Sequence, residues 1–254
     1  MKSGIAESIR LETHPVALVW ADEAPPDAVQ FKKGRWGCVL SLLATVAARG
    51  KTAAFDRETF GCWGGGVGLG FGNQYEAFPG GIDGLCRFLS DGEEEDDIGG
   101  RAGERYVKDA ESAGRWLEAL PLREIPAKVV VAKPLIDVDA EIDAIQNVTF
   151  FANPDQLSAL VVMANHVRPE KENVGIPYAA ACQLIGILAY EELERDHPRA
   201  LVGLTDISAR KNTRRPLGSN VLSFTAPWPM FLEMEAHASG SFLSRETWRS
   251  LQAV

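Results

Sequence analysis

Val148-Thr149-Phe150-Phe151-Ala152-Asn153-Pro154-Asp155-Gln156-Leu157-Ser158-Ala159-Leu160-Val161-Val162-Met163-Ala164 is the stretch whose reading decides the fold. Val148 to Ala152 is a short apolar run rich in β-branched and aromatic residues, which predicts a strand. Asn153 then stands where a helix N-cap belongs. Pro154 follows at the first helical position, where its missing N–H costs nothing. The helix is expected to run to about His166. A strand that feeds straight into a helix is the unit of an alternating fold.

The same alternation extends outward. Lys128 to Ala132, Ala200 to Leu204 and Val221 to Phe224 predict strands, and Tyr178 to Arg195, after Pro177, predicts a helix. Pro229 to Ala236 and Arg245 to Leu251 predict terminal helices. Toward the N-terminus, residues 3–13 predict a short amphipathic helix with Ile5, Ile9 and Leu11 apolar, and Val16 to Trp20 a strand. Val39, Leu42, Leu43 and Val46 recur at helical spacing between Cys38 and Arg49, and Gly50 stops that helix. Thr52 to Phe55 predicts a strand, residues 81–90 a short helix, and Glu111 to Leu120 a helix ended by Pro121. The expected class is α/β (α+β), a mixed sheet flanked by helices. No segment has the composition of a linker, so residues 1–254 are expected to form one domain. The acidic run at 91–100 is expected to be a flexible, solvated loop.

Composition narrows the function. The chain carries 35 acidic and 26 basic side chains for a net charge of −9, which argues against a general nucleic-acid binder. No run approaches the roughly 20 apolar residues of a membrane helix, and the N-terminus turns acidic too early for a signal peptide. The expected location is cytoplasmic. Of the four cysteines, Cys38, Cys62, Cys86 and Cys182, none forms a C-x-x-C pair. In a reducing compartment they are expected as thiols, ligands or nucleophiles.

Gly61-Cys62-Trp63-Gly64-Gly65-Gly66-Val67-Gly68-Leu69-Gly70-Phe71-Gly72 is too glycine-rich for a helix or an ordinary strand by propensity. It fits neither the dinucleotide fingerprint nor a Walker loop. Two readings stay open. Gly64, Gly65 and Gly66 could turn their N–H groups toward an anion, or the segment could be packing against Trp63 and Phe71. Cys38 opens a helix and Cys182 lies near the start of another, where unpaired N–H groups favour thiolate. Cys86 sits among Leu85, Phe88 and Leu89 and reads as a buried thiol. Three thiolates could hold a [4Fe-4S] cluster with one open iron, or zinc with His14, His166, His197 or His237. Three unrelated core cysteines are the alternative. Trp36 and Trp63 could shield a cluster or be core. Asp206, Arg210, Lys211, Arg214 and Arg215 form a locally basic segment. Arg210 could receive a carboxylate or phosphate if it faces the glycine run, and otherwise the segment is a solvated helix face.

Several segments together resemble the family known as domain of unknown function 169. They are Gly37-Cys38, Ala48-Arg49-Gly50-Lys51, the run Gly61 to Gly72, Phe78-Pro79-Gly80-Gly81, Asn153-Pro154-Asp155-Gln156-Leu157, Ala181-Cys182-Gln183, Gly203-Leu204-Thr205-Asp206 and Arg210-Lys211. The resemblance spans nearly the whole chain. It implies cysteines at 38, 62 and 182, without Cys86, and a setting in anaerobic bacteria and archaea.

Three functions follow as expectations. The first is an iron–sulfur protein with ligands Cys38, Cys62 and Cys182 and a [4Fe-4S] cofactor. The second is a thiol enzyme or redox sensor using Cys62 or Cys182, although no histidine is adjacent. The third is a non-catalytic module that holds a small anionic ligand at the glycine run with Arg210.

Overall fold

Period-two alternation sends apolar side chains from the strands to both faces of a sheet. The computed structural model describes residues 1–91 and 103–252. In β1 (Val16–Ala21), Val16 and Leu18 enter one core, and Ala17 and Val19 the other. In β2 (Ala53–Asp56) and β3 (Val129–Pro134), Phe55 and Val130 join the first core, and Ala54 and Val131 the second. Strands buried on both faces belong between two helical layers. β4 (Ala144–Ala152), β5 (Val174–Gly175), β6 (Ala200–Gly203) and β7 (Leu222–Pro227) complete a seven-stranded sheet of order β2-β3-β1-β4-β7-β6-β5. Its pairs are antiparallel except β5 with β6, so the sheet is mixed, as expected.

In chain order the described helices begin with α1 (Gly4–Ser8), α2 (Val39–Arg49), α3 (Trp63–Leu69) and α4 (Gly81–Leu89). They continue with α5 (Ala110–Glu118), α6 (Pro154–Ala164), α7 (Ala181–Ile185) and α8 (Ile187–Leu193). α9 (Ile207–Leu217), α10 (Trp228–His237) and α11 (Glu246–Leu251) complete the set. α1, α6, α10 and α11 cover one face through Ile5, Leu160, Phe231 and Trp248. α2 to α5 and α7 to α9 cover the other. The sequence places α6 well. Asn153 accepts the Gln156 N–H and Gln156 Oε1 accepts the Asn153 N–H, a reciprocal capping box.

Three expectations need correction. The helix predicted over residues 3–13 covers only Gly4–Ser8. It ends because Arg10 takes a left-handed φ of 50°. The helix predicted over 178–195 breaks at Gly186, where a Cβ would lie 1.8 Å from the Gly68 carbonyl oxygen. Asn147, fully buried on β4, donates to the Ile185 carbonyl at 2.8 Å, beside the break.

The third correction concerns the glycine run. Trp63–Leu69 is a helix, although each interior glycine disfavours one by roughly 0.5–1 kcal/mol. Proximity is the reason. A Cβ on Gly65 would meet Val39 Cγ2 of α2 at 2.4 Å, and one on Gly68 the Cys182 carbonyl carbon of α7 at 2.7 Å. Residues with no side chain let α3 lie almost backbone to backbone on α7 and admit the Val39 side chain of α2 at Gly65. Tertiary contact overrides propensity here.

Of the acidic run, residues 92–100 lie outside the described residues. Among the described residues no helix is long and apolar enough to cross a membrane.

Candidate functional site: three helix starts around one cavity

Close packing of α3 on α7, with Val39 at the start of α2 set against Gly65, brings three helix starts to one cavity. Cys38 is the N-cap residue of α2, Cys62 is the N-cap residue of α3, and Cys182 lies in the first turn of α7. All three line one cavity of about 550 Å³. Trp36, Trp63, Phe78 and Phe88 supply apolar walls, and Asp206 and Asn212 a polar edge. Trp63 and Phe78 meet edge-on with ring centres 4.9 Å apart, and Phe78 also packs on Phe88.

Each part is locally fixed. Cys62 Sγ accepts the Gly65 N–H at 3.3 Å, so the thiol caps the helix it begins. The Cys182 thiol donates to the Gly64 carbonyl at 2.9 Å. Gln183, next in sequence and fully buried, donates to the Tyr75 hydroxyl at 2.8 Å and accepts the Ala180 N–H at 3.0 Å. One oxygen of Asp206 accepts the Ala181 N–H, and the other accepts from Ala209 N–H and the Ser208 hydroxyl. That carboxylate therefore ties the start of α7 to the start of α9.

Burial dominates the electrostatics. It pushes the Cys38, Cys62 and Cys182 thiols above the ordinary thiol range. Cys182 is raised furthest, with like charge from Cys62, Asp206 and Cys38 adding to burial. Burial thus opposes the helix-start preference for thiolate in the metal-free protein. A few partial positive charges do not offset removal from water. Among the described residues no lysine, arginine or histidine lines the cavity. The three thiols thus share a space whose described lining carries the Asp206 carboxylate and no basic side chain.

The remaining predicted residues separate. Cys86 is buried in α4 and does not line the cavity. Gly64 lines the cavity, and Gly65 turns its N–H to Cys62. Gly66 is packed against Phe60 and Gln74, so it contributes spacing and no ligand contact. Arg210 does not join this site. Its guanidinium donates to the Val221 carbonyl at 2.9 Å and the Ser219 carbonyl at 2.7 Å, with a longer bond to Leu204. Those carbonyls anchor the guanidinium to residues 204–221, and Arg210 does not line the cysteine cavity. None of the four histidines lines the cavity. His14 sits beside Gly50, and His166 lies by His237 with ring centres 6.2 Å apart.

Among the described residues no group of three or more His, Cys, Asp or Glu side chains is placed to hold one metal ion. The thiols share a cavity without converging on a single point. A cluster of several irons spreads its thiolate ligands farther apart than one ion does. Sequence reasoning missed Tyr75, Gln183 and Asn212. Only Gln183 carried a signal, as the third residue of a helix start at Ala180.

The family model DUF169, described as uncharacterised ArCR, matches residues 4–237. No curated protein and no solved structure matches the chain.

Proposed function

We propose that this chain, which belongs to the DUF169 family, is an iron–sulfur protein in which Cys38, Cys62 and Cys182 hold a [4Fe-4S] cluster. The observation that supports the proposal is that three cysteines, at 38, 62 and 182, line one cavity whose described lining includes no basic side chain. The donor set fits. Thiolates are the ordinary ligands of such clusters, and the Gly65 N–H directed at Cys62 Sγ is the kind of bond that tunes them. Bound with three cysteines, the cluster would offer one iron as a Lewis acid or electron carrier.

The chain's own residues have separate tasks. Trp63, Phe78 and Phe88 exclude water from the cavity wall. Gly64 and Gly65 hold the Cys182 and Cys62 sulfurs through their backbone groups. Asp206 fixes the helix that carries Cys182. Loading displaces the thiol protons that burial otherwise retains.

A thiol nucleophile is less well supported, because among the described residues no histidine or lysine lines the cavity, both oxygens of its one carboxylate, Asp206, already accept bonds from Ala181, Ser208 and Ala209, and burial disfavours the thiolate. An anaerobic habitat and a cytoplasmic location accompany the iron–sulfur reading. The test is iron and acid-labile sulfide per chain after strictly anaerobic reconstitution. A brown protein whose iron is lost in Cys38→Ser, Cys62→Ser and Cys182→Ser, but kept in Cys86→Ser, is the expected result. Colourless, iron-free protein would end the proposal.

A further inference from the structure

On the other side of α9, away from the cysteines, lie two cavities that share a wall. One, of about 880 Å³, is larger than the cysteine cavity. Its floor and side are apolar, with Leu157, Val161 and Val162 of α6 facing Leu222 at the start of β7. The other, of about 280 Å³, lies along α9 and is lined by Lys211 and Arg214. Leu204, Arg210, Ser219 and Val221 border both. The two spaces therefore form one cleft, apolar at one end and cationic at the other.

Two observations mark it as built to receive something. Among the described residues no carboxylate pairs with Lys211 or Arg214, although the chain carries a net charge of −9. The lining that the two cavities share is also strained at one residue. Leu204 is buried and takes φ of 60°, a left-handed conformation that a branched side chain rarely adopts. Arg210 holds that wall by donating to Leu204, Ser219 and Val221. A guanidinium bonded to backbone carbonyls fixes the cleft shape, and Lys211 and Arg214 are the cations on its lining that no described carboxylate pairs.

We propose that this cleft binds a single-chain anionic amphiphile, an alkyl carboxylate or alkyl phosphate. The chain would lie along Leu157, Val161 and Val162, and the head group would meet Lys211 and Arg214. Volume and lining match the usual small-molecule site, mostly apolar with a few placed polar groups. Charge complementarity selects an anion over a cation or a neutral chain. The cleft is independent of the cysteines, so it stands or falls apart from the iron–sulfur proposal.

Calorimetric titration of the full chain with dodecanoate, dodecyl phosphate, dodecyltrimethylammonium and acetate tests it. Saturable binding of one anionic amphiphile per chain is expected, at least tenfold tighter than the cationic amphiphile, with no binding of acetate. The double variant Lys211→Glu/Arg214→Glu should weaken dodecanoate at least tenfold, and Val162→Glu, at a half-exposed position, should do the same from the apolar end. Circular dichroism confirms that each variant is folded. Comparing dodecanoate with dodecyl phosphate identifies the head group. Equal binding of anionic and cationic amphiphiles, no effect of either variant, or binding only to vesicles of anionic lipid would overturn the proposal.

Discussion

Replacing Gly68 with alanine tests whether the site is assembled by glycine. A Cβ there would lie 2.7 Å from the Cys182 carbonyl carbon, 2.8 Å from its oxygen and 2.9 Å from the Gln183 nitrogen. All three are backbone atoms, so no rotamer change relieves them. Ordinary contact begins at 3.4 Å, so α3 and α7 must separate by roughly 0.7 Å. Overpacking of this kind costs about 1–3 kcal/mol, and a rigid neighbour puts it near the top of that range. Alanine returns about 1 kcal/mol of helix propensity. The net expectation is a loss of about 2 kcal/mol, read by urea denaturation at equilibrium. Gly64→Ala is the control. Its Cβ meets only the Tyr75 hydroxyl, at 3.4 Å, so the same propensity gain should leave stability unchanged or raise it by up to about 1 kcal/mol. If Gly68→Ala were as stable as the parent, or if Gly64→Ala cost more, the close-packing account of the glycine run would be wrong.

Other expectations follow from single contacts. Asn147→Leu leaves the buried Ile185 carbonyl without its donor and should cost about 1–3 kcal/mol in the same urea assay. Glu192, 2% exposed, pairs with Arg199 at 2.7 Å and accepts its backbone N–H at 2.9 Å. Glu192→Gln should cost about 2 kcal/mol, below the range for a fully buried pair because Arg199 is 35% exposed, with retained parental stability counting against it. In the metal-free chain the Cys38, Cys62 and Cys182 thiols are raised above their usual range, so the folded state favours their protonated form. Their contribution is complete below the free-thiol pKa and is lost as pH rises through the folded values, so stability should fall on the alkaline side of about pH 9. Thermal melts across that range, compared with a triple Cys→Ala variant, check the sign. Alkylation of the metal-free thiols at neutral pH should be slow for all three, and a single fast thiol would instead favour the nucleophile reading.

Much of the fold was legible because it rests on local periodicity. β1 and β3 show their burial as apolar runs, and Asn153-Pro154 announces α6 before any contact is known. The short parallel edge strand β5 has no such signal, since two residues carry no period. α3 was illegible for a different reason. Its helix is paid for by neighbours distant in sequence, Val39 and Cys182, and propensity alone points the other way. The cysteine site was half legible. Helix starts at 38 and 182 could be placed from Gly37, Gly50 and Pro177, but the partners of Arg210 could not. Its nearest basic neighbours suggested a ligand, whereas the carbonyls of residues 204, 219 and 221 hold it.

The cavity borrows its walls from segments as far apart as Cys38 and Cys182. During synthesis, a ribosome must therefore release more than half of the chain before the last of its three sulfurs emerges. The cavity wall is complete only once α7 has docked on the glycine helix. A trapped intermediate lacking that docking would keep its thiols and lose the chamber that makes them neighbours.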